Sequence, residues 1–567
     1  MKKSSLEAVS VAGFRNFWAR PCAIPLYVVR ISSCALRSAP AHPSAVELML
    51  PRTVLVVYGI ALLLLSLVSL NRYVLVTFYR RSRARWLDHP PALADAELPR
   101  VVLQLPIYNE RYVLARLLRS ASELDYPREL ISIQLLDDST DDTVELARSL
   151  VNRYRAQGFD ITHIHRTDRE GYKSGALENG LRHTTAEYIA LFDADFVIPH
   201  DFIRAMLPHM RDPKVGIAQA RWGYLNEEYS TLTRATVMGL DAQFAIEQTG
   251  RYYGGLLLGF NGTGTMLRTQ CIADAGGWQH DTITEDLDLS YRAQLAGWRI
   301  AYVPNVVCPS ELPADIHGLK AQQFRWTKGT QETAKKMLPS LVRSKLSPWL
   351  KLQGALHLLS NSTYPVLLLV GIINPLVVVI AHQNNLRIAW PISAYFIFSL
   401  FGTYSYHAEA ERALHKDWLK RMLLFPAFLA QSIGLSVNNA KAATEAWLGI
   451  KSGFIRTPKY DLTRREQRWH QLQYRSRFSA TVYVELAMAI YTTAGLGYAI
   501  ATKEYGATPF LILFAGGYWL VAGYSIRHAL VRVTWRTRAT VAHVEELAET
   551  MSPEPMGARA MSAMSER

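Results

Sequence analysis

The stretch Thr53–Tyr79 (TVLVVYGIALLLLSLVSLNRYVLVTFY) is apolar almost throughout, with Arg72 its single charged side chain. About 20 such residues suffice to cross the hydrocarbon core of a bilayer. Arg80, Arg81, Arg83 and Arg85 follow at once, so the C-terminal end of this span is expected on the cytoplasmic side. A chain that opens this way must fold partly in lipid, and the rest of it has to be compatible with that.

The next region is not more membrane. From about Pro99 to Glu311 short apolar runs end in polar clusters: Val101–Pro106, Ile131–Leu136, Ile161–Ile164 and Tyr188–Phe192, with helical stretches such as Asp142–Gln157 between the first of them. Alternation of strand and helix implies a parallel sheet with helices on its faces. Ligands of such sheets bind beyond the carboxyl ends of the strands, and the acidic clusters of this chain follow those ends. Apolar spans return after Gln353, at Tyr364–Ala381, Ile388–Tyr406, Thr481–Ala501 and Pro509–Ile526. Leu423–Val437 is also apolar, but the loop after it is strongly basic, so it is expected to lie along the interface as an amphipathic helix. Five crossings then leave the α/β region, the basic loop and the C-terminus on one side.

Composition agrees with this division. Hydrophobic residues make up 49% of the chain, yet its mean hydropathy is only +0.02. The formal charge of +14 is concentrated beside apolar segments, at 80–85, 451–477 and 527–538, which favours an anionic membrane face over nucleic acid as its cause. No zinc-finger spacing or stacking-aromatic motif points to nucleic acid. Cys22, Cys34, Cys271 and Cys308 form no CxxC pair, which argues against a disulfide scaffold or structural zinc. Residues 1–48 are read as an N-terminal extension, either disordered or untranslated with Met49 as the start. The expected organisation is a span at 53–79, a catalytic domain with an interfacial helix at 99–340, two spans within 360–407, an interfacial helix and basic loop at 418–477, two spans within 478–528 and a cytosolic tail at 529–567.

Five short motifs carry the chemistry. Tyr108, Asn109 and Glu110 close the first strand, and Asp137-Asp138-Ser139 closes the second. Carboxylates there can accept bonds from a nucleoside, or merely solvate a turn and cap the next helix. Asp193-Ala194-Asp195 follows the run ending at Phe192, where two acids suit a divalent cation bridging a diphosphate. Lys173 can meet phosphate as a point charge. Thr284-Glu285-Asp286 opens a helix, as an N-cap with acids at the positive dipole end or as a base facing a substrate. Gln322, Arg325 and Trp326 share one helical face, where a guanidinium can grip a diphosphate and an indole can stack on a sugar.

Taken in order, DDS, DxD, TED and QxxRW resemble family 2 of the inverting glycosyltransferases, in its processive cellulose-synthase-like group. Gln219-Ala-Arg-Trp222, Gly259-Phe-Asn-Gly-Thr263 and the stretch 322–328 are similar to the plant mannan and glucan synthases and their bacterial relatives. The resemblance implies a cytosolic α/β domain of the GT-A (Rossmann-like) kind joined to an α-helical transmembrane region. It implies that Tyr108, Glu110, Asp137, Asp138, Lys173, Asp193, Gln322 and Arg325 hold the nucleotide sugar. Asp193 and Asp195 would hold Mg2+ or Mn2+, and Asp286 would be the catalytic base. Trp326, Asn261, Gly262 and Glu285 would meet the acceptor. Phe454, Thr457 and Lys459 resemble a gating loop in which Arg456 stands where valine is usual. A cyclic-dinucleotide-binding domain is not expected in so short a tail.

The function implied is transfer of a hexose, with UDP-glucose favoured as donor, to a growing β-linked polysaccharide. The expected setting is the inner (plasma) membrane, multi-pass, with the catalytic domain cytoplasmic, the lipid bilayer and a periplasmic export protein as partners, and no nucleic acid. Alternatives are a GDP-mannose-dependent mannan or glucomannan synthase, a ceramide-type lipid glucosyltransferase, and a carbohydrate receptor descended from a transferase.

Overall fold

Strand β1 (Val101–Ile107) is apolar at nearly every position and shows no two-residue alternation, as suits a strand covered on both faces; Val101, Val102, Leu103 and Leu105 are all buried. The computed structural model describes residues 45–83, 90–386, 389–453, 456–462, 469 and 479–551, with side chains for all of these except 45–50, 389–396 and 532–551. It separates Met1–Leu50 from Pro51–Arg567. Of the first unit only the helical residues 45–50 are described; the sheet, the long helices and the cavity all belong to the second.

The remaining strands are β2 (Ile131–Asp137), β3 (Ile161–His165), β4 (Tyr188–Leu191), β5 (Val215–Tyr224), β6 (Thr265–Arg268) and β7 (Arg299–Ser310), in the order β3-β2-β1-β4-β6-β5-β7. β1 to β4 are parallel, and β5 runs parallel to β7. The expected all-parallel sheet is therefore mixed, because β6 is antiparallel to both β4 and β5. The chain leaves β5 for a long helical excursion and re-enters the sheet at the end where β5 finished, so β6 runs back antiparallel to it. Apolar side chains cover both faces of the sheet in two clusters.

The order changes direction at β1, which has β2 on one side and β4 on the other. Such a switch point splays the connections apart and opens a crevice beyond the strand ends. Glu110 and Asp193, which follow β1 and β4, both open into it.

Two helices complete the crevice. Glu285–Leu295 carries its acids in its first turn. Ile316–Arg343 is capped by Asp315, whose carboxylate accepts bonds from the N–H groups of His317 and Gly318 at 3.0 Å each. It packs along Ser436–Leu448, and Lys320 ties it to the helical half through Glu485 Oε2 at 2.6 Å and Ser525 Oγ at 2.8 Å.

Among the described residues four helices are long and apolar enough to cross a membrane: Pro51–Ser82, Ser360–Gln383, Thr481–Ala501 and Tyr505–Val531. The span expected at Ile388–Tyr406 falls in helix Ala389–Leu414, with Ile388 itself outside the described residues. The apolar stretch from Leu423 becomes helix Phe425–Gly434, continued by Ser436–Leu448.

Candidate active site

Beyond the ends of β1 and β4 lies a cavity of about 250 Å³ walled by the α/β half, by helix Ile316–Arg343 and by residues 456–459. The residues leaving β1 are held in place by their own turn. Asn109 takes a left-handed φ of 56°, its N–H donates to Ser139 Oγ at 2.8 Å, and its side-chain oxygen accepts from the Thr140 N–H at 2.8 Å. Tyr108 thereby turns its ring to the Arg169 guanidinium, 3.4 Å from the ring centroid.

The two aspartates of the second motif part company. Asp138 lines the cavity and is gripped bidentately by Arg166 at 2.9 and 2.7 Å. Asp137 is fully buried and is not on the cavity wall; its carboxylate accepts from the Ser139 N–H at 2.8 Å and faces His163 Nε2 at 2.8 Å. Burial works against ionisation of Asp137, but the bonds from His163 and Ser139 outweigh it and hold the carboxyl below its ordinary value.

Asp193 and Asp195 project from the turn after β4. Asp193 Oδ1 lies 2.6 Å from Lys173 Nζ, and Asp195 Oδ2 lies 2.5 Å from Lys459 Nζ. Burial raises the Asp193 carboxyl, partly opposed by Lys173 and reinforced by the neighbouring Asp195. Lys173 also donates to the Gly262 carbonyl at 2.8 Å and stands 3.6 Å from Glu285. Burial alone would lower its ammonium, but Asp193 and Glu285 raise it above the usual lysine range. The two aspartates are hard oxygen donors, each now paired with a lysine, and such donors fit Mg2+ or Mn2+ completed by diphosphate oxygens.

Asp286 faces this group across Gly262. That glycine has φ 72°, and a Cβ there would meet Asp286 Oδ2 at 3.0 Å and Lys173 Nζ at 3.4 Å, so both backbone shape and close approach require it. Asp286 Oδ1 accepts the Leu287 N–H at 2.8 Å. Burial first, and then the adjacent Glu285, raise its carboxyl well above the usual range, while Lys173 pulls the other way. The helix-cap reading of Thr284 does not hold, since its hydroxyl pairs with Thr333 Oγ1 at 3.1 Å and caps nothing.

Gln322, Arg325 and Trp326 all reach the cavity from one face of their helix. Arg325 donates to Thr457 Oγ1 at 3.0 Å, and the Gln322 side-chain oxygen is buried without a partner among the described residues. Trp326 meets Trp222 with ring centroids 6.3 Å apart. Asn261 is braced by Gln248 and Gln219, each at 2.8 Å.

The loop from the helical half enters the same cavity. Thr457 and Lys459 line it, and Phe454 lies outside the described residues. Arg456, the residue that breaks the expected loop pattern, pairs bidentately with Glu110 at 3.1 and 2.7 Å. Burial still pushes the Glu110 carboxyl up to about 7, against the pull of Arg456. Glu311, just past β7, anchors the loop by accepting the N–H groups of Tyr460 and Asp461 at 2.9 Å each. Arg169, Trp222, Glu311 and Arg456 are among the wall residues to which the sequence assigned no role. The signal for Glu311 was its place after an apolar strand, the rule that found Asp193.

Residues 99–329 match the family described as glycosyltransferase-like family 2. The chain is 37% identical over 271 residues to glucomannan 4-beta-mannosyltransferase 1 of Oryza sativa subsp. japonica, covering 47% of this chain and 52% of that protein. It is 34% identical over 334 residues to glucomannan 4-beta-mannosyltransferase 2 of Arabidopsis thaliana, covering 57% and 59%. The chain thus spans between half and three-fifths of the length of these relatives. The mannosyltransferase PcManGT from Pyrobaculum calidifontis, solved in complex with GDP-Man and Mn2+, superposes with a TM-score of 0.45 at 21% identity, over 70% of this chain and 100% of that one. The α/β half is GT-A-like in fold.

Proposed function

We propose, from the premise that this chain is a member of glycosyltransferase family 2 in its cellulose-synthase-like group, that it is a membrane-bound inverting transferase moving mannose from GDP-mannose to a growing β-linked mannan or glucomannan. UDP-glucose, the donor favoured on sequence, gives way because the named plant relatives are mannosyltransferases. The observation that carries the reaction class is Asp286, a half-buried carboxyl raised toward neutrality, facing Lys173 and Asp193 across Gly262. A base works best when its pKa lies near the working pH.

In this reading the acceptor hydroxyl attacks the anomeric carbon from the side of Asp286, which takes its proton. A new carbon–oxygen bond forms as the bond to the diphosphate breaks, and GDP leaves with its electron pair. Arg325 and Lys173 offset the charge that builds on the departing diphosphate. Asp193 and Asp195 would hold a divalent cation, which supplies further charge neutralisation there. Glu110, Tyr108 and Asp138 would wall the nucleoside. Trp326 and Trp222 would offer ring faces to the acceptor, with Asn261 as a hydrogen-bonding side chain. Residues 456–459 would gate this mouth.

The bilayer is the partner of the helical half, with the plasma membrane as setting and the α/β half cytoplasmic. Val56, Ile60 and Leu63 turn 61%, 53% and 57% of their surface outward along one helix, which supports contact with lipid. Membranes carrying the chain are to be incubated separately with labelled GDP-mannose and UDP-glucose, and the product digested with β-mannanase or β-glucanase. Label from GDP-mannose in a mannanase-sensitive polymer is expected. A product formed only from UDP-glucose, or one that partitions wholly into organic solvent, overturns the donor or the acceptor assignment respectively.

A further inference from the structure

We propose that Asp137, His163 and His165 form a binding site for a single transition-metal ion of the Zn2+ type, separate from the oxygen-only pair Asp193 and Asp195. β3 is an edge strand, joined only to β2 among the described strands. His163 and His165 are two residues apart, so they project to the same face, and Asp137 is the register partner of His165 at the end of β2. Both imidazoles approach Asp137: His163 Nε2 is 2.8 Å from its Oδ2, and His165 Nδ1 is 3.7 Å from the same oxygen and 3.1 Å from the Asp137 main-chain oxygen. The three ligand atoms all lie within 4.8 Å of one another. A tetrahedral zinc site with bonds of about 2.0–2.1 Å sets its ligand atoms about 3.3 Å apart, and the two measured distances straddle that value.

Three features favour a metal over a simple imidazole–carboxylate hydrogen bond. One imidazole would suffice to orient the Asp137 side chain, and here a second stands 3.7 Å from the same oxygen, its Nδ1 held meanwhile by the Asp137 carbonyl at 3.1 Å. The other carboxylate oxygen is held by the Ser139 N–H at 2.8 Å, the kind of outer bond that fixes a metal ligand. Two nitrogens and one oxygen form a set that selects zinc-like ions over Mg2+, while the His165 side chain, 29% exposed, leaves a way in for the ion and a water as fourth ligand.

The site also has a mechanical consequence. Asp137 precedes Asp138 and His165 precedes Arg166, and those two residues form the bidentate pair at the cavity wall. The chain then runs on through Arg169, Tyr172 and Lys173, which line the cavity. An ion bridging β2 and β3 would fasten the edge strand that delivers this wall. The site does not depend on the proposed sugar transfer, so it is tested by binding.

The full chain in detergent, stripped with chelator and kept in excess Mg2+, is to be titrated with Co2+ and then Zn2+. About one equivalent of Co2+ with the absorption of a tetrahedral complex is expected, displaced by Zn2+, with a rise in melting temperature. His165→Gln is expected to weaken that binding at least about 100-fold, more than the loss of an outer-shell partner, while Asp193→Asn leaves it unchanged. Absence of a tetrahedral Co2+ signal in the wild type, or equal binding by His165→Gln, overturns the proposal. Should the variant not melt like the metal-free wild type, diethyl pyrocarbonate labelling of wild-type His163 and His165 decides. Zn2+ protection of both histidines supports the site, and equal labelling with and without Zn2+ sinks it.

Discussion

The two halves of the molecule treat apolar and charged side chains in opposite ways. In the α/β half Leu103 and Leu105 are fully buried between layers, whereas in the helical half Leu63 leaves 57% of its surface outside. At the cavity the α/β half brings a wall of acids, Glu110, Asp138, Asp193, Asp195, Glu285 and Asp286, and the stretch after helix Ser436–Leu448 brings Arg456 and Lys459 against two of them. The acids stand on strand ends and a helix start; Asp286 is held by the Leu287 N–H, and Asp138 and Asp193 pair with Arg166 and Lys173 of the same half. The cations of the loop are held mainly by the acids themselves and by Glu311. A wall of acids whose loop countercharge can withdraw, while Lys173 and Arg166 stay in place, is what a site for an anionic, metal-bound donor needs.

If the acids do the chemistry and the loop only covers it, the largest effect should come from the α/β side. Asp286→Asn is expected to lower transfer by about 10²–10⁴-fold, the usual contribution of a positioned base, while GDP binding stays within about twofold, since Asp286 is placed to meet the acceptor and not the nucleotide. Turnover by single-time-point labelling and GDP affinity by calorimetry read the two separately. Transfer at the wild-type rate removes Asp286 from the mechanism and leaves the division of labour without support.

The contact between the halves carries its own signature in pH. The Glu110 carboxyl is pushed up to about 7 from its ordinary 4.5, chiefly by burial and net of Arg456. Between those values the folded chain holds a proton that the unfolded chain has released. Its contribution is therefore fully present below about 4.5 and is lost as pH rises through about 7. The loss amounts to about 3 kcal/mol at the upper end. Glu110→Gln, which cannot ionise, is expected to melt increasingly above the wild type from pH 5 to pH 7.5. Parallel melting curves across that range would falsify the assignment.

How much of this was legible depended on whether a residue's partner was near in sequence. β1, β2 and β4 were readable because mainly apolar runs, broken only by Gln104 in β1 and by Ser132 and Gln134 in β2, end in Glu110, Asp137 and Asp193 territory. β5 escaped because Gln219 and Arg221 interrupt it, and β6 because four residues carry no period. The split between Asp137 and Asp138 was within reach: neighbours at a strand end point to opposite sides, so only one could face the crevice. The role of Arg456 was not, for its partner Glu110 lies 346 residues away and the local pattern showed only a mismatch. Thr284 looked like a cap because the residue type is right, but tertiary contact with Thr333 claimed its hydroxyl.

The smallest effect tests the environment of each half. Leu103→Ala should cost about 2–5 kcal/mol, as large-to-small changes in a packed core do, because the side chain has no surface left exposed. Leu63→Ala removes the same atoms from a side chain that faces outward. Lipid tails are as apolar as leucine, so within a bilayer no transfer energy separates the exposed from the packed state, and a change below about 1 kcal/mol is expected. Both variants are to be compared in nanodiscs by thermal unfolding. A Leu63 variant as damaged as the Leu103 variant would place that face against protein, and the outward apolar surface of Pro51–Ser82 would then mark an interface between chains and not a contact with lipid.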